Sequence, residues 1–274
     1  MDRLTDFRSV FAEVVVARAG SRNPHLKAAF ARVPRHEFVP LGPWRFAENG
    51  PLTASDDPAL LYQDLAVGLS LERGIPTGLP SLHARCLDAC ELRPGESVVQ
   101  IGAGAGYFTA ILAELVGPSG KVRAFEVDPI LAAMAEKNLA QWPQASVEAR
   151  SGTGAEDPVD LVYACAGVQQ IPSAWLRALR SGGRLLLPLV PGDAEGGVFL
   201  VRKTSEEHYE ARFVTAARFV PCIGATDANA ATALRAAFGR GDTSSVRSLR
   251  VEPERPDSSS WFAGDGWWLS TQST

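Results

Sequence analysis

The sequence predicts an α/β fold: a doubly wound parallel sheet with an N-terminal helical cap and a small C-terminal α+β extension. Three observations carry this. The apolar run Val98–Ile101 breaks into Gly102-Ala103-Gly104-Ala105-Gly106 and then enters a helix-compatible segment. Strand-like and helix-like stretches alternate from residue 97 to residue 189, and such alternation buries a parallel sheet under helices on both faces. Beyond about residue 216 the pattern changes to short strand-like pieces around one helix.

Taken in order, Phe7, Val10, Phe11, Val14 and Val15 recur at helical spacing, as do Leu26, Phe30 and Val33, so the first forty residues read as two amphipathic helices. Pro34 and Pro40 predict an extended passage, and 41–58 has the Gly, Pro, Asn and Asp density of a loop. A helix is expected over Ser81–Leu92, introduced to the next strand by Pro94-Gly95. Strand 97–101 leads to helix 107–116, stopped by Gly117-Pro118. Strand 121–126 leads to a helix capped by Asp128 with Pro129 in its first position. Strand 159–164 precedes a helix opening at Pro172, which Ser181-Gly182-Gly183 is expected to end before strand 184–189.

Val198–Arg202 and Tyr209–Val214 flank a polar turn and predict a hairpin antiparallel to that sheet. A strand over Ala217–Ile223, a helix over Asp227–Phe238 and two further strands follow, the last pair turning at Asp265-Gly266. Trp261, Trp267 and Trp268 are expected to pack this small layer. The organisation read from the chain is therefore cap and substrate loop over 1–75, cofactor domain over 76–215 and extension over 216–274.

With 274 residues, 46% of them hydrophobic and 21% charged, the chain can bury a sizeable core. A net charge of -4 gives no general attraction to nucleic acid or an anionic membrane, so neither is expected as a partner. No apolar run has the length of a bilayer span, and acids near the start stand where a signal peptide is basic, so the expected compartment is the cytoplasm. Cys86, Cys90, Cys165 and Cys222 have neither disulfide-framework nor zinc spacing and are expected as buried thiols, with no metal site.

The glycine spacing selects the cofactor class. A pyrophosphate loop runs G-x-G-x-x-G, whereas this one runs G-x-G-x-G. The following strand ends in Glu126, whose carboxylate can accept hydrogen bonds from the vicinal hydroxyls of a ribose. A nucleoside without phosphates fits both features, which points to S-adenosyl-L-methionine and disfavours a nicotinamide-linked reductase.

Taken together, Val33-Pro34-Arg35-His36-Glu37-Phe38-Val39-Pro40, Tyr62-Gln63-Asp64, the glycine loop with Tyr107–Gly117, Ile171-Pro172 and Gly182–Pro188 resemble the protein-L-isoaspartate O-methyltransferase family of class I S-adenosylmethionine-dependent methyltransferases. The resemblance implies a Rossmann-like sheet. It places cofactor contacts on Ile75, Pro76, Thr77, Gly78, His83, Gly102, Ala103, Gly104, Gly106, Glu126, Val127, Ser151 and Gly152. It also implies a loop serine beside the methyl-transfer centre, and the corresponding residue here is Gly78, which argues against isoaspartate repair. Gln100 and Ser151 stand where the family has acids, so contacts there lack charge.

Methyl transfer from a sulfonium needs an aligned acceptor lone pair, and an ionised carboxylate needs no general base. The residues expected around the acceptor are Asp64, Thr77, Gly78 and His83. Arg35 is available for a substrate carboxylate or a structural ion pair. The expected activity is carboxyl O-methylation of a peptide or small metabolite. The alternatives are true isoaspartyl repair and a cofactor-binding module that regulates or binds a partner without catalysis.

Overall fold

The computed structural model describes residues 3–46, 51–155, 157–192 and 194–274. Contacts divide the chain into two units, the first comprising Met1–Gly95 with Ala103–Arg150 and the second Glu96–Gly102 with Ser151–Thr274. In chain order the first unit carries α1 (Arg3–Arg18), α2 (Pro24–Arg32), β1 (Gly68–Ser70), β2 (Ile75–Pro76) and α3 (Pro80–Cys90). After β3 (Ser97–Ile101) of the second unit it resumes with α4 (Tyr107–Val116), β4 (Lys121–Phe125), α5 (Pro129–Asn138) and β5 (Ala145–Glu148). The second unit continues through β6 (Val159–Ala164), α6 (Ser173–Ala178), β7 (Leu179–Leu189), β8 (Gly196–Lys203) and β9 (Tyr209–Ala217). It ends with α7 (Ala228–Arg240), β10 (Ser248–Val251), β11 (Ser260–Ala263) and β12 (Trp267–Ser270).

In the first unit α1 buries Phe11, Ala12, Val15 and Val16. Phe7, Val10 and Val14, expected on the same face, are exposed. The apolar arc of this helix is wider than the strip its neighbours cover, and the spacing alone does not say which edge is left out. Asn23 starts α2 by accepting from the amides of His25 and Leu26, with Pro24 in the first turn. The passage after Pro34 is not uniformly extended: Arg35–Phe38 forms a 3-10 turn. Within 41–58, residues 47–50 lie outside the described residues; the remainder contains an isolated bridge between Arg45 and Leu52. α3 stops at Cys90 because Glu91 adopts a left-handed φ of 50°. Cys86 and Cys90 are fully buried on it. Strands β4 and β5 pair in parallel, and Asp128 caps α5 through the amides of Ile130 and Leu131.

In the second unit the strand order is β11-β12-β10-β9-β8-β7-β6-β3. The β3–β6 and β6–β7 pairs are parallel, while β7–β8 and β8–β9 are antiparallel, as the hairpin signal predicts. Two expectations fail here. Ser181-Gly182-Gly183 does not end the helix; α6 stops at Ala178 and these residues lie inside β7. There Val159 faces Leu179 but Leu161 faces Arg184, so the extra residues form a bulge, with Gly182 in it at φ 77°. Nor is there a strand over 217–223. Pro221 has no N–H to continue a ladder, and the segment makes only a bridge to Gly167, whose N–H reaches Val220 and whose carbonyl accepts from Cys222.

The C-terminal strands extend the sheet of this unit, β10 pairing with β9. Trp261, Trp267 and Trp268 are buried; Trp261 packs on Phe199 and Phe238, so the aromatic tail is core, as expected. Among the described residues no helix is long and apolar enough to cross a membrane.

Candidate functional site

Glu126 is the first residue after β4, where the chain leaves a buried strand, and it is itself 8% exposed. Its Oε2 accepts the Gly104 amide at 2.7 Å and its Oε1 accepts the Asp128 amide at 3.0 Å. Burial pushes its carboxyl above the ordinary range, opposed by the amides of Gly104 and Val127 and by the charge of Arg73. Each oxygen keeps lone-pair capacity for a further donor, as a ribose diol requires. Arg73, at the turn between β1 and β2, is ion-paired with Asp128.

The loop before α4 is held by Ala103 donating to Phe125 and Gly106 donating to Ala103. Gly104 and Gly106 have φ of 55° and 92°, a region costly for any side chain. A Cβ on Gly106 would press at 3.3 Å on Ala135 of α5 and on Leu139 just after it, so glycine here lets the helix pack against the loop. Ala103 is buried, whereas Val127 is 42% exposed beside the acid.

A second group lies in the same unit. The Thr77 amide donates to Val67 at 2.6 Å, and its hydroxyl accepts from the Val67 amide at 2.9 Å, closing the hairpin that Ile75 and Pro76 of β2 form with β1. His83 is 3% exposed and stacks on Phe108 with ring centroids 3.7 Å apart. A Cβ on Gly78 would fall well inside van der Waals contact with the His83 ring. Burial pushes the His83 imidazole down to about 3, so it is neutral near pH 7 and a poor general base.

Both Asp64 oxygens are engaged: Oδ1 accepts from the Ser81 amide at 2.8 Å, at the start of α3, and Oδ2 from Arg18 of α1 at 3.1 Å. Among the described residues the buried Arg35 makes no ion pair within salt-bridge distance, although the charge of Asp64 favours its protonated form. Its guanidinium donates to the carbonyls of Leu61, Gln63 and Leu65 and lies over the Phe11 ring. It thereby clamps the segment that carries Tyr62 and Asp64. Burial raises the Tyr62 phenol to about 12, and its hydroxyl contacts His36 Nδ1 at 2.6 Å.

In the second unit Gly102 has φ 81° at the end of β3, with Cys165 and Ala166 3.7–3.8 Å from where its Cβ would stand. Gln100 is fully buried; its Nε2 reaches Cys165 Sγ at 3.4 Å and its Oε1 has no hydrogen-bond partner among the described residues. Such an orphaned acceptor fits a site completed by a ligand donor. The Ser151 hydroxyl pairs with Thr153 at 3.0 Å, and the Gly152 carbonyl accepts the indole N–H of Trp175 at 3.0 Å.

Sequence reasoning therefore placed Gly104, Gly106 and Glu126 together, and Thr77, Gly78 and His83 together. It missed Leu69, Arg73 and Phe108. Leu69 and Arg73 sit on the β1–β2 hairpin, too short to show a period, although Gly68 and Gly74 bracket it. Phe108 was visible only as an apolar helix residue.

The sequence matches the profile of the family Protein-L-isoaspartate(D-aspartate) O-methyltransferase over residues 16–227. The chain belongs to this family of S-adenosylmethionine-dependent O-methyltransferases. Among its relatives, the protein-L-isoaspartate O-methyltransferase of Methanothermobacter thermautotrophicus is 28% identical over 226 residues, covering 81% of this chain and 97% of that protein. That of Methanopyrus kandleri is 32% identical over 210 residues, covering 74% and 85%. Among solved structures, a protein-L-isoaspartate O-methyltransferase superposes with a TM-score of 0.67 at 23% identity, covering 85% of this chain and 69% of the other. A Plasmodium falciparum structure ascribed to the same activity, in complex with S-adenosyl-L-homocysteine, gives 0.64 at 16% identity, covering 78% and 97%. These likenesses bear out the Rossmann-like class I methyltransferase fold.

Proposed function

We propose that this family member transfers the methyl group of S-adenosyl-L-methionine to a carboxylate, and that the acceptor is an isoaspartyl residue of a peptide or protein. The observation that carries the reading is the family match over residues 16–227, together with relatives of that name covered over nearly their whole length. It weighs more than the departure at Gly78, which favours another carboxylate, and than the uncharged Gln100 and Ser151.

When bound, the cofactor supplies an electrophilic methyl on a sulfonium. Glu126 would accept from the ribose hydroxyls, with the amides of Gly104 and Asp128 holding its carboxylate in place. In the first unit Ala103, Gly104 and Gly106 would let the loop approach the nucleoside, with Val127 beside Glu126; in the second, Gly102, Ser151 and Gly152 stand at the remaining cofactor positions that the resemblance implies. Ile75, Pro76, Thr77, Gly78 and His83 would form the wall on the methyl side. Asp64 acts by fixing the start of α3. The acceptor carboxylate is ionised near neutral pH, so the residues need only align it. A neutral His83 accords with chemistry that needs no base.

The test is incubation of the pure protein with methyl-labelled cofactor and an isoaspartyl peptide, beside its normal aspartyl counterpart. Base-labile label released as methanol from the isoaspartyl peptide is expected. An unlabelled isoaspartyl peptide, with base-labile label appearing on carboxylates of a cell extract, would support the second reading that Gly78 favours: methylation of a different peptide or a small metabolite. Calorimetric binding of the cofactor with no labelled product anywhere would leave the non-catalytic module.

A further inference from the structure

In the second unit β3 and β6 are parallel neighbours, and ligands of such sheets sit beyond the carboxyl ends of the strands. The loop over 165–172 leaves that end of β6. Its Cys165 amide donates to the Ile101 carbonyl at 2.8 Å, and Cys165 and Ala166 lie 3.7–3.8 Å from where a Cβ on Gly102 would stand. At its other end the loop enters α6, whose Trp175 donates its indole N–H to the Gly152 carbonyl. It therefore runs between Gly102 and Gly152, two of the positions that the resemblance implies as cofactor contacts.

The loop takes its hydrogen bonds from chain far beyond it. The amides of Gln169 and Gln170 both donate to the Ala225 carbonyl, at 3.0 and 3.3 Å. The buried Gln169 donates through Nε2 to the Val190 carbonyl and accepts the Asp227 amide, each at 2.9 Å, just before α7. Gln170 reaches further: its Oε1 accepts both the Asp265 amide and the Trp267 indole N–H, each at 3.0 Å. Those donors lie at the turn between β11 and β12, outside the residues 16–227 that match the family profile. The turn is shaped for this contact. Its Gly264 amide donates to the Trp267 carbonyl at 2.9 Å, and a Cβ on Gly264 would overlap the Trp267 ring, so glycine there lets the indole lie back across the turn. Gly266 follows with φ 75°, and Trp267 is buried against Phe262 with ring centroids 5.5 Å apart.

We propose that the C-terminal extension positions the loop after β6 for cofactor binding: the turn at Asp265–Trp267 grips Gln170 and holds 165–172 in the shape that accepts S-adenosyl-L-methionine. Gln170 is then a positioning residue, acting through the loop rather than on the cofactor. A loop ordered before the ligand arrives loses less conformational entropy on binding, which raises affinity. The inference depends on the cofactor and not on the acceptor, so a wild type that binds the cofactor yet leaves an isoaspartyl peptide unlabelled fails the acceptor reading and keeps this test.

S-adenosylmethionine and S-adenosylhomocysteine are titrated calorimetrically into the wild type, Gln170→Ala, Gln170→Glu, Trp267→Phe and the Gln170→Ala/Trp267→Phe double variant, with thermal melting of each without ligand. Gln170→Ala is expected to raise Kd for both ligands about fivefold or more, because two bonds are lost and the loop must be ordered on binding. Gln170→Glu keeps an oxygen for both donors and should bring Kd back to within about twofold of the wild type. Trp267→Phe removes one donor and should have the smaller effect. The double variant should stay within about twofold of Gln170→Ala, since both changes break one contact. A Gln170→Ala protein with lowered melting temperature and wild-type Kd would reduce the contact to packing and overturn the positioning role. Equal losses of affinity in Gln170→Glu and Gln170→Ala, or effects of the two sites that simply multiply, would overturn the grip through the two N–H groups. A wild type that binds neither ligand would overturn the inference outright.

Discussion

Replacing Glu126 with Ala removes the acceptor of two amides at once, that of Gly104 at 2.7 Å and that of Asp128 at 3.0 Å, in surroundings where the acid is only 8% exposed. An orphaned buried donor costs about 1–3 kcal/mol, and water entering the vacated space relieves part of it, so a stability loss of about 2 kcal/mol is expected. Loss of the bonds to the ribose diol should weaken cofactor binding by a further 1–3 kcal/mol or so, roughly 5- to 150-fold in Kd. Glu126→Gln keeps an acceptor for one amide but turns its NH2 towards the other, so it should fall between Ala and the wild type in both respects. Isothermal titration with S-adenosylmethionine and with S-adenosylhomocysteine measures the binding, and urea unfolding without ligand measures the stability. A destabilised Ala variant with wild-type Kd for both ligands would refute the ribose assignment and leave Glu126 a loop anchor. A variant unchanged in both would contradict the geometry itself.

Because burial lowers the His83 pKa from its ordinary 6.5 to about 3, the unfolded chain takes up a proton below pH 6.5 that the folded chain refuses. Stability from this group is complete above pH 6.5 and falls as pH drops towards 3, by about 2 kcal/mol at pH 5. Urea unfolding at pH 7.5 and 5.0 should show this difference in the wild type and a smaller one in His83→Leu; equal slopes in the two proteins would contradict a buried neutral imidazole. Asp64→Ala removes the acceptor of the Ser81 amide and the partner of Arg18, and should cost about 1–2 kcal/mol in thermal unfolding while leaving kcat near wild type. A large fall in kcat with unchanged stability would instead place Asp64 at the acceptor.

What was legible in the sequence was local. The limits of β3, α4 and β6 follow from runs of apolar residues punctuated by glycine and proline, and the start of α5 from Asp128-Pro129, because caps and breakers act within a turn of the chain. What was not legible depended on partners far along the chain. Arg35 reads as a partner for carboxylates, whereas three carbonyls from 61–65 surround it, and the anchoring of Asp64 to the Ser81 amide and to Arg18 depends on residues 17 and 46 positions away. The bulge in β7 appears only when Val159 and Leu161 are set against Leu179 and Arg184.

By itself the sequence determined the fold class, the G-x-G-x-G loop and the acid after β4, since these rest on periodicity and on residues that glycine conformation or strand ends fix within a few positions. Only the tertiary structure decided that α1 leaves Phe7, Val10 and Val14 exposed, and that the glycine at 78 answers a histidine at 83. Burial and steric exclusion are relations between packed surfaces, and the order of residues along a chain does not state which surfaces meet.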